Sequence, residues 1–361
     1  MNKKLKLNKT LGILGGGQLA SMLTHSAQKL GYRVSVYSSS KSDPATERAH
    51  SHCLGSLEDS KKIIKWSQNC DVVTFESEFI DLKKAKLRKA QPSVKNMFIL
   101  RDRLSQKQLL EKFKIPTSPF SIATDSPFEK SQVFKQRLFG YDGYGTKLVK
   151  NKKAHGDFLK STAELTDWIQ EDFIPFKREL AFSIARTKNN SFCLLPLVES
   201  FQKDSKCFYT KGPMEHKKLS SLVLKFKKMM SEINYIGILA VELFETKEGE
   251  LLVNELAPRV HNSAHYSIEA LHLSQFDVHN LAVLGEDLPA KIPSLSPFAM
   301  VNLIGSCSKR PELTLPSKGS LHWYGKSPNK PGRKMGHITV LDNTSSSALK
   351  SALREEKRQN L

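Results

Sequence analysis

The chain has 361 residues, 39% of them hydrophobic and 25% charged, a globular composition with length for two or three domains and no apolar run long enough to span a membrane. Its net charge of +20 suggests a polyanionic partner, but the lysines are spread along the whole chain without an RNA-binding signature or aromatic platform, so no specific nucleic-acid partner is expected. Five cysteines without a CxxC pair argue against a disulfide framework or zinc ribbon, and the basic start MNKKLKLNKT lacks the apolar stretch of a secretory signal, so the expected location is cytoplasmic.

In chain order, TLGILG reads as a strand, Gln18 to Leu30 as an amphipathic helix, RVSVYS as a second strand and DVVTFE as another. This pattern implies a parallel sheet. The turn GGGQLA carries Gly15, Gly17 and Ala20 in a GxGxxA pattern that lets backbone approach a phosphate at a helix N-terminus. The second strand ends Tyr37, Ser38, Ser39 and Ser40, with no acid to hold a ribose, which argues against a nicotinamide oxidoreductase. Glu76 and Glu78 follow the third of these strands; they are either ordinary loop acids or ligands directed to one side by their alternate positions.

A boundary is expected near QPSVKN, before the helix RDRLSQKQLLEKF. In VFKQRLFGYDGYGTKLV, two strand-like runs flank Gly140, Gly143 and Gly145, a hairpin that closes over phosphates or is a plain tight turn. Lys135, upstream, is a candidate phosphate ligand. A helix is expected from Ser161, with Glu164 completing a capping box, and Glu171 and Glu179 lie at the ends of the strands that follow. Lys217 to Ile233 reads as another helix.

GILAVELFETKEGELLVNELAPR reads as two strands joined at Glu248 and Gly249. A two-residue turn there sets Glu242 opposite Glu255. Like charges at opposed positions destabilise a sheet unless a cation lies between them, and carboxylates without His or Cys suit Mg²⁺ delivered with phosphates. An exposed hairpin with solvated acids fits the spacing equally well. His261 and His265 stand four apart, but Pro258 works against a regular helix and no metalloprotease glutamate accompanies them.

Taken in order, LGGGQL, TFESE, GYDGYG, VELF, NELAPRVHNSAHY and LHWYGKSPNKPGRKMGHITVL resemble the 5-(carboxyamino)imidazole ribonucleotide synthases, ATP-grasp carboxylases of purine biosynthesis, from about Leu11 to Leu341. The resemblance implies a mixed α/β and α+β ATP-grasp architecture: a Rossmann-like parallel-sheet pre-ATP-grasp domain over 1–100, an ATP-grasp domain with a glycine-loop lid over 101–295, and a small β-containing C-terminal domain over 296–361. It also implies a reaction in which ATP phosphorylates bicarbonate to carboxyphosphate, and the carboxyl group passes to the amine of 5-aminoimidazole ribonucleotide. The cofactors are then ATP and Mg²⁺, with a homodimer and a downstream mutase as expected partners.

By the same resemblance, Glu242 and Glu255 bind Mg²⁺. Arg103, Lys135, Gly140, Tyr141, Asp142, Gly143, Gly145, Thr146, Glu171, Asp172, Phe173, Ile174, Glu179 and Asn254 bind ATP. Gly17, Gln18, Glu76, Glu78, Tyr141, Asp142, Lys326 and Arg333 bind the ribonucleotide, while Arg259, His261 and Asn262 handle bicarbonate and carboxyphosphate. Read without the family, Arg103 is a surface helix residue and Lys326 and Arg333 belong to a solvated basic loop. The chain departs from the family at Ala20 and Ser21 after the first glycine turn, at Thr146 in the second glycine loop, and at Gln202, where a His is usual. The competing readings are another ATP-grasp ligase, formate-using or biotin carboxylase-like, and a basic nucleic-acid-binding protein.

Overall fold

Nearly continuous buried runs build the first sheet in the computed structural model, which describes residues 8–80, 87–140, 143–306, 311–326 and 329–359. Its strands run in the order Ser51–Leu54, Arg33–Ser38, Thr10–Leu14, Val72–Phe75, all parallel. Leu11, Ile13, Val34 and Val36 are fully buried, as the apolar runs imply. Ser51–Leu54 escapes sequence reading because this edge strand is polar and largely exposed. The helix Gln18–Lys29 turns Ala20, Leu23 and Ala27 inward.

Among the described residues the main sheet is antiparallel and has nine strands. Its path is Leu251–Ala257, Gly237–Thr246, Phe176–Arg186, Leu197–Lys203, Lys206–Met214, Phe298–Ile304, Lys334–Leu341 and Ser320–Trp323, with Phe192–Leu194 pairing off Phe176–Arg186. The three C-terminal strands therefore extend the central sheet through Tyr209↔Val301 and Lys211↔Ala299 rather than forming a sheet of their own. The helix Ser345–Lys357 covers this end with Ala348 and Ala352.

A smaller antiparallel sheet, in the order Phe120–Ile122, Trp168–Asp172, Gln132–Gln136, Thr146–Val149, carries the glycine loop. Phe134 stacks on Phe158 with ring centroids 4.1 Å apart, and Trp168 meets Phe158 edge-on. The helix expected from Ser161 lies earlier in the chain: Lys152–Ser161 is helical and Ser161 ends it. Asn151 provides the cap, its side chain accepting from the Ala154 amide. Glu164 instead caps a single turn, Leu165–Asp167, before the strand.

The first sheet is joined to the rest through the helix Gln275–Leu284, all ten residues of which are buried. Ser274 and Asp277 form its capping box, and Asp277 also accepts from Ser26 Oγ at 2.8 Å and pairs with Lys29 at 2.9 Å. One buried carboxylate thus starts this helix and ties it to Gln18–Lys29. Asp277→Ala leaves Ser26 Oγ, the Lys29 ammonium and the amide and hydroxyl of Ser274 short of an acceptor. The expected loss is about 2–4 kcal/mol, read as a lower urea midpoint; a change below about 0.5 kcal/mol would remove this tie from the account.

Candidate active site

The acidic hairpin reaches its register by two compensating irregularities. Thr246 N donates to Glu250 O at 2.9 Å and Gly249 N to Thr246 O at 3.0 Å, with Gly249 at φ +76°, so the loop is 247–249 and not the two-residue turn expected. Continued regularly, the pairing Glu245↔Leu251 and Leu243↔Val253 would set Glu242 opposite Asn254. A bulge beyond Leu243 absorbs Asn254 and restores Glu242↔Glu255. The opposed glutamates are thus present, with Asn254 re-aimed beside them.

Cations surround this pair. Arg103, nine-tenths buried rather than on the surface, donates from Nη2 to both Glu255 oxygens at 3.1 Å, from Nη1 to Gln136 O at 2.8 Å and from Nη2 to Gly140 O at 3.2 Å. A Cβ on Gly140 would lie 1.9 Å from Arg103 Nη1, so any larger residue there has to displace the guanidinium. Lys135 Nζ donates to Asn254 Oδ1 at 2.8 Å and lies 3.0 Å from Glu171 Oε1. Glu171 Oε2 accepts from Ser118 Oγ at 2.5 Å and from Lys107 Nζ at 3.0 Å. Burial raises the Glu171 carboxyl, but Lys135, Lys107 and Ser118 outweigh it and hold it at about 2.

Further along the nucleotide segment, Asp172 pairs with Lys130 at 2.7 Å, Phe173 is exposed and Ile174 is half-buried. Gly143 and Gly145 take φ +78° and +70°, and Thr146 opens the strand opposite Lys135. Tyr141 and Asp142 lie outside the described residues. Burial lifts the Glu179 carboxyl to about 7, only partly opposed by the Gln202 amide, which donates to it. Gln202 itself donates from Nε2 to Ser200 Oγ at 3.3 Å.

At the mouth of the first sheet the glycine turn holds a protein carboxylate where a phosphate was expected. Gly17 N donates to Glu76 Oε2 at 2.7 Å, and the amides of Leu19 and Ala20 also bond this carboxylate. A Cβ on Gly15 or Gly17 would come within 2.6 or 2.3 Å of Glu76 oxygens. The GxG spacing is therefore explained by Glu76, whose carboxyl burial nonetheless raises above the usual range. Gln18 begins the helix with its Oε1 buried and unpaired. Glu78 does not share the direction of Glu76: both its oxygens accept from Arg259, at 2.5 and 3.0 Å.

Arg259 precedes His261, whose Nδ1 is 2.9 Å from Ser263 Oγ and 3.8 Å from Glu242 Oε1. Burial, Arg259 and Lys334 hold this imidazole well below its usual pKa, so it is neutral. Asn262 exchanges hydrogen bonds with Asn302 at 2.9 and 2.7 Å, which commits much of its amide to the sheet. His265 is fully buried, accepts from Gln275 Nε2 at 2.9 Å and is pushed by burial to about 3. Lys326 Nζ donates to Lys334 O at 2.9 Å, and Arg333 is half-buried just before that lysine.

Glu269, His322 and His337 bring donors within 4.8 Å of one another, but their geometry is that of a hydrogen-bonded stack. His322 Nε2 and Glu269 Oε1 are 2.5 Å apart, and the two imidazole planes lie 13° from parallel with centroids 4.6 Å apart. Two stacked parallel rings cannot both contain one metal in their planes, as bonding through ring nitrogen requires. Two functional candidates were missed from sequence: Lys107 and Lys334. The first could have been found four residues after Arg103 on one helix face, the second next to Arg333.

Three family models match successive parts of the chain: a ribonucleotide synthetase preATP-grasp domain over residues 8–98, an ATP-grasp domain over 108–276, and a phosphoribosylaminoimidazole carboxylase C-terminal domain over 299–351. The N5-carboxyaminoimidazole ribonucleotide synthase of Staphylococcus aureus strain MRSA252 is 36% identical over 354 residues, 94% of each chain. That of Synechococcus elongatus is 35% identical over 357 residues, covering 91% of this chain and 89% of the relative. The S. aureus enzyme in complex with ADP superposes with a TM-score of 0.88 at 34% identity, covering 98% of both chains. The Aspergillus clavatus enzyme, crystallised with ADP and 5-aminoimidazole ribonucleotide, gives 0.85 at 28% identity over 98% of this chain and all of that one.

Fold and charge arrangement together define an ATP-grasp ligase, which forms a carbon–nitrogen bond using ATP and Mg²⁺. The chain belongs to the N5-carboxyaminoimidazole ribonucleotide synthase family, whose activity is the ATP-dependent carboxylation of 5-aminoimidazole ribonucleotide in purine biosynthesis.

Gly17→Ala tests the reading of the first glycine turn. The added methyl group displaces Glu76 and leaves the helix amides without their acceptor, at an expected cost of about 1–2 kcal/mol in chemical denaturation. Unchanged stability would show that Glu76 is not held as described.

Proposed function

We propose that the reaction takes place over the hairpin bearing Glu242 and Glu255, and the observation that carries this reading is their direct opposition beneath Arg103 and Lys135. Two opposed, partly exposed carboxylates with an amide oxygen nearby fit a hard, oxygen-seeking ion, so Glu242 and Glu255 would hold Mg²⁺. Bound there, Mg²⁺ would supply charge neutralisation for the β- and γ-phosphates. Lys135, Arg103, Asn254 and the loop 140–146 hold the triphosphate; the segment Glu171 to Ile174 reads the adenine through its backbone. Glu179 accepts from the ribose hydroxyls. Glu171 itself acts through Lys135, since its carboxylate is spent inside the protein.

A bicarbonate oxygen attacks the γ-phosphorus as the bond to the β-phosphate oxygen breaks, giving carboxyphosphate and ADP. The ribonucleotide amine then takes the carboxyl group, phosphate leaves and the amine loses a proton. Arg259, held charged by Glu78, supplies the fixed positive charge for the carboxyl and phosphoryl oxygens. His261 supplies a neutral hydrogen-bonding face, and Asn262 with Asn302 fixes the backbone that presents it. Lys326, Arg333 and the adjacent Lys334 form the basic end for the ribonucleotide 5′-phosphate, with Gln18 and the turn that Glu76 holds at Gly17 toward its base and ribose; Tyr141 and Asp142 join them by the family resemblance.

The proposed division remains 1–100, 101–295 and 296–361, the last part docked by continuing the central sheet. A homodimer in the cytoplasm, feeding a mutase that consumes the unstable carbamate, is in keeping with the family resemblance. Among the described residues Cys53, Cys70, Cys193 and Cys207 are free thiols, and no helix is long and apolar enough to cross a membrane.

Phosphate release from ATP with Mg²⁺ and bicarbonate tests the function. Strong stimulation by 5-aminoimidazole ribonucleotide, and none by glycinamide ribonucleotide with formate, is expected; the reverse would move the chain to another ATP-grasp reaction. In the same assay Glu255→Gln should lower kcat by at least about a hundredfold while ribonucleotide binding persists, the size of effect seen when a charge-stabilising group is removed. Normal kcat would take Glu255 out of the mechanism.

The pH dependence of ATP binding follows from Glu179. Its ionised form accepts from two hydroxyls and predominates above about 7, so KM for ATP should rise as pH falls through 7. Glu179→Gln should flatten that rise. A wild-type KM independent of pH between 6 and 8 would remove Glu179 from ribose binding.

A further inference from the structure

Lys107 lies one helical turn after Arg103 in Arg103–Lys112 and is only 2% exposed. Its three N–H donors are all taken: Thr117 Oγ1 accepts at 2.7 Å, Ser118 Oγ at 2.9 Å and Glu171 Oε2 at 3.0 Å. An ammonium has three donors and no acceptor, so Lys107 has none left to offer a ligand. Thr117 and Ser118 are themselves anchored, to Val253 O at 2.6 Å and to Glu171 Oε2 at 2.5 Å. The ammonium is therefore fixed by groups that do not move independently.

Glu171 is divided between two lysines, Oε2 facing Lys107 and Oε1 facing Lys135. Together the three side chains carry a net charge of +1. Without Lys107, Glu171 and Lys135 would cancel, and in a buried setting that cancellation reaches the ligand with little screening. An undivided Glu171 would also compete with Asn254 Oδ1 for the Lys135 ammonium, which it now holds at 2.8 Å.

We propose that Lys107 is a positioning residue for ATP: by sharing Glu171, it leaves Lys135 with net positive charge and in place beside Asn254 to meet the triphosphate. This inference rests on the assignment of Lys135 as a phosphate cation. The chain Lys107, Glu171, Lys135, Asn254 joins the helix, two strands of the small sheet and the acidic hairpin, so it also sets where that sheet stands over the metal carboxylates. Burial lowers the Lys107 pKa to about 8 against the pull of Glu171, which keeps it largely charged at neutral pH.

The test is steady-state kinetics of the full chain for Lys107→Met, Glu171→Gln, the double variant and Lys135→Met, with thermal melts alongside. Lys107→Met should raise KM for ATP roughly five- to fiftyfold and leave KM for 5-aminoimidazole ribonucleotide within about twofold, the range of coupling between contacting residues. Adding Glu171→Gln removes the group that neutralises Lys135, so the double variant should recover most of the lost ATP affinity. A role confined to packing predicts no recovery. An unchanged KM for ATP in Lys107→Met, or a double variant no better than the single, overturns the proposal. If Lys107→Met does not fold, Glu171→Gln is compared with the double variant. With Glu171 uncharged, Lys107 has nothing to divide, so the two should agree within about threefold, and a gap above about tenfold overturns it. Lys135→Met separates the two levels of argument: an unchanged KM for ATP there defeats the phosphate assignment of Lys135 itself.

Discussion

Placing several charges out of water beside one another is the constraint on which this structure depends. Arg103, Lys107 and Lys135 face Glu171 and Glu255 at the junction of the helix Arg103–Lys112, the small sheet and the acidic hairpin. Leaving any one of these groups alone in such a setting costs several kcal/mol. Arg103, Lys107, Lys135 and Glu171 are each held by more than one partner, and those partners come from different elements; Glu255 has both oxygens on Arg103. The arrangement ties the small sheet to the hairpin through Lys135 and Asn254, and it sets cations opposite carboxylates, a combination that suits a metal–nucleotide complex.

The first domain answers a similar problem differently. A glycine turn before a helix is an anion site because its amides are unsatisfied and its dipole is positive. Here Glu76, from the end of a neighbouring strand, provides the anion from within the protein. Two residues on, Glu78 turns away to hold Arg259 bidentately and places that guanidinium, carried on the segment after the acidic hairpin, next to the first domain. A positive charge carried beyond the acidic hairpin is thus fixed by an acid from the first domain, at the boundary between the two.

Much of the architecture was legible from pattern. The βαβ start, the glycine hairpin, the helix Leu219–Glu232 and the opposed glutamates all follow from periodicity and turn chemistry, because their side-chain sequence repeats with the element that carries them. The errors lie where a local signal has two readings. Ser161 and Glu164 satisfy a capping box by spacing, yet Asn151 starts the helix ten residues earlier and the tail of that helix places Ser161 at its end. The hairpin register was right although its turn was not, since the bulge at Asn254 compensates for the extra loop residue.

The sequence by itself determined most of the elements, the family motifs and the residue types that the chemistry requires, because these depend on local spacing and on the order of motifs along the chain. Tertiary structure alone decided which charges neutralise one another. Whether Arg103 is a surface residue or a buried clamp on Glu255, whether the glycine turn meets a phosphate or Glu76, and whether Lys107 touches Glu171 are settled across separations of 152, 59 and 64 residues. Coulombic and hydrogen-bond energies depend on distance and burial, and neither is written in the spacing of residues so far apart.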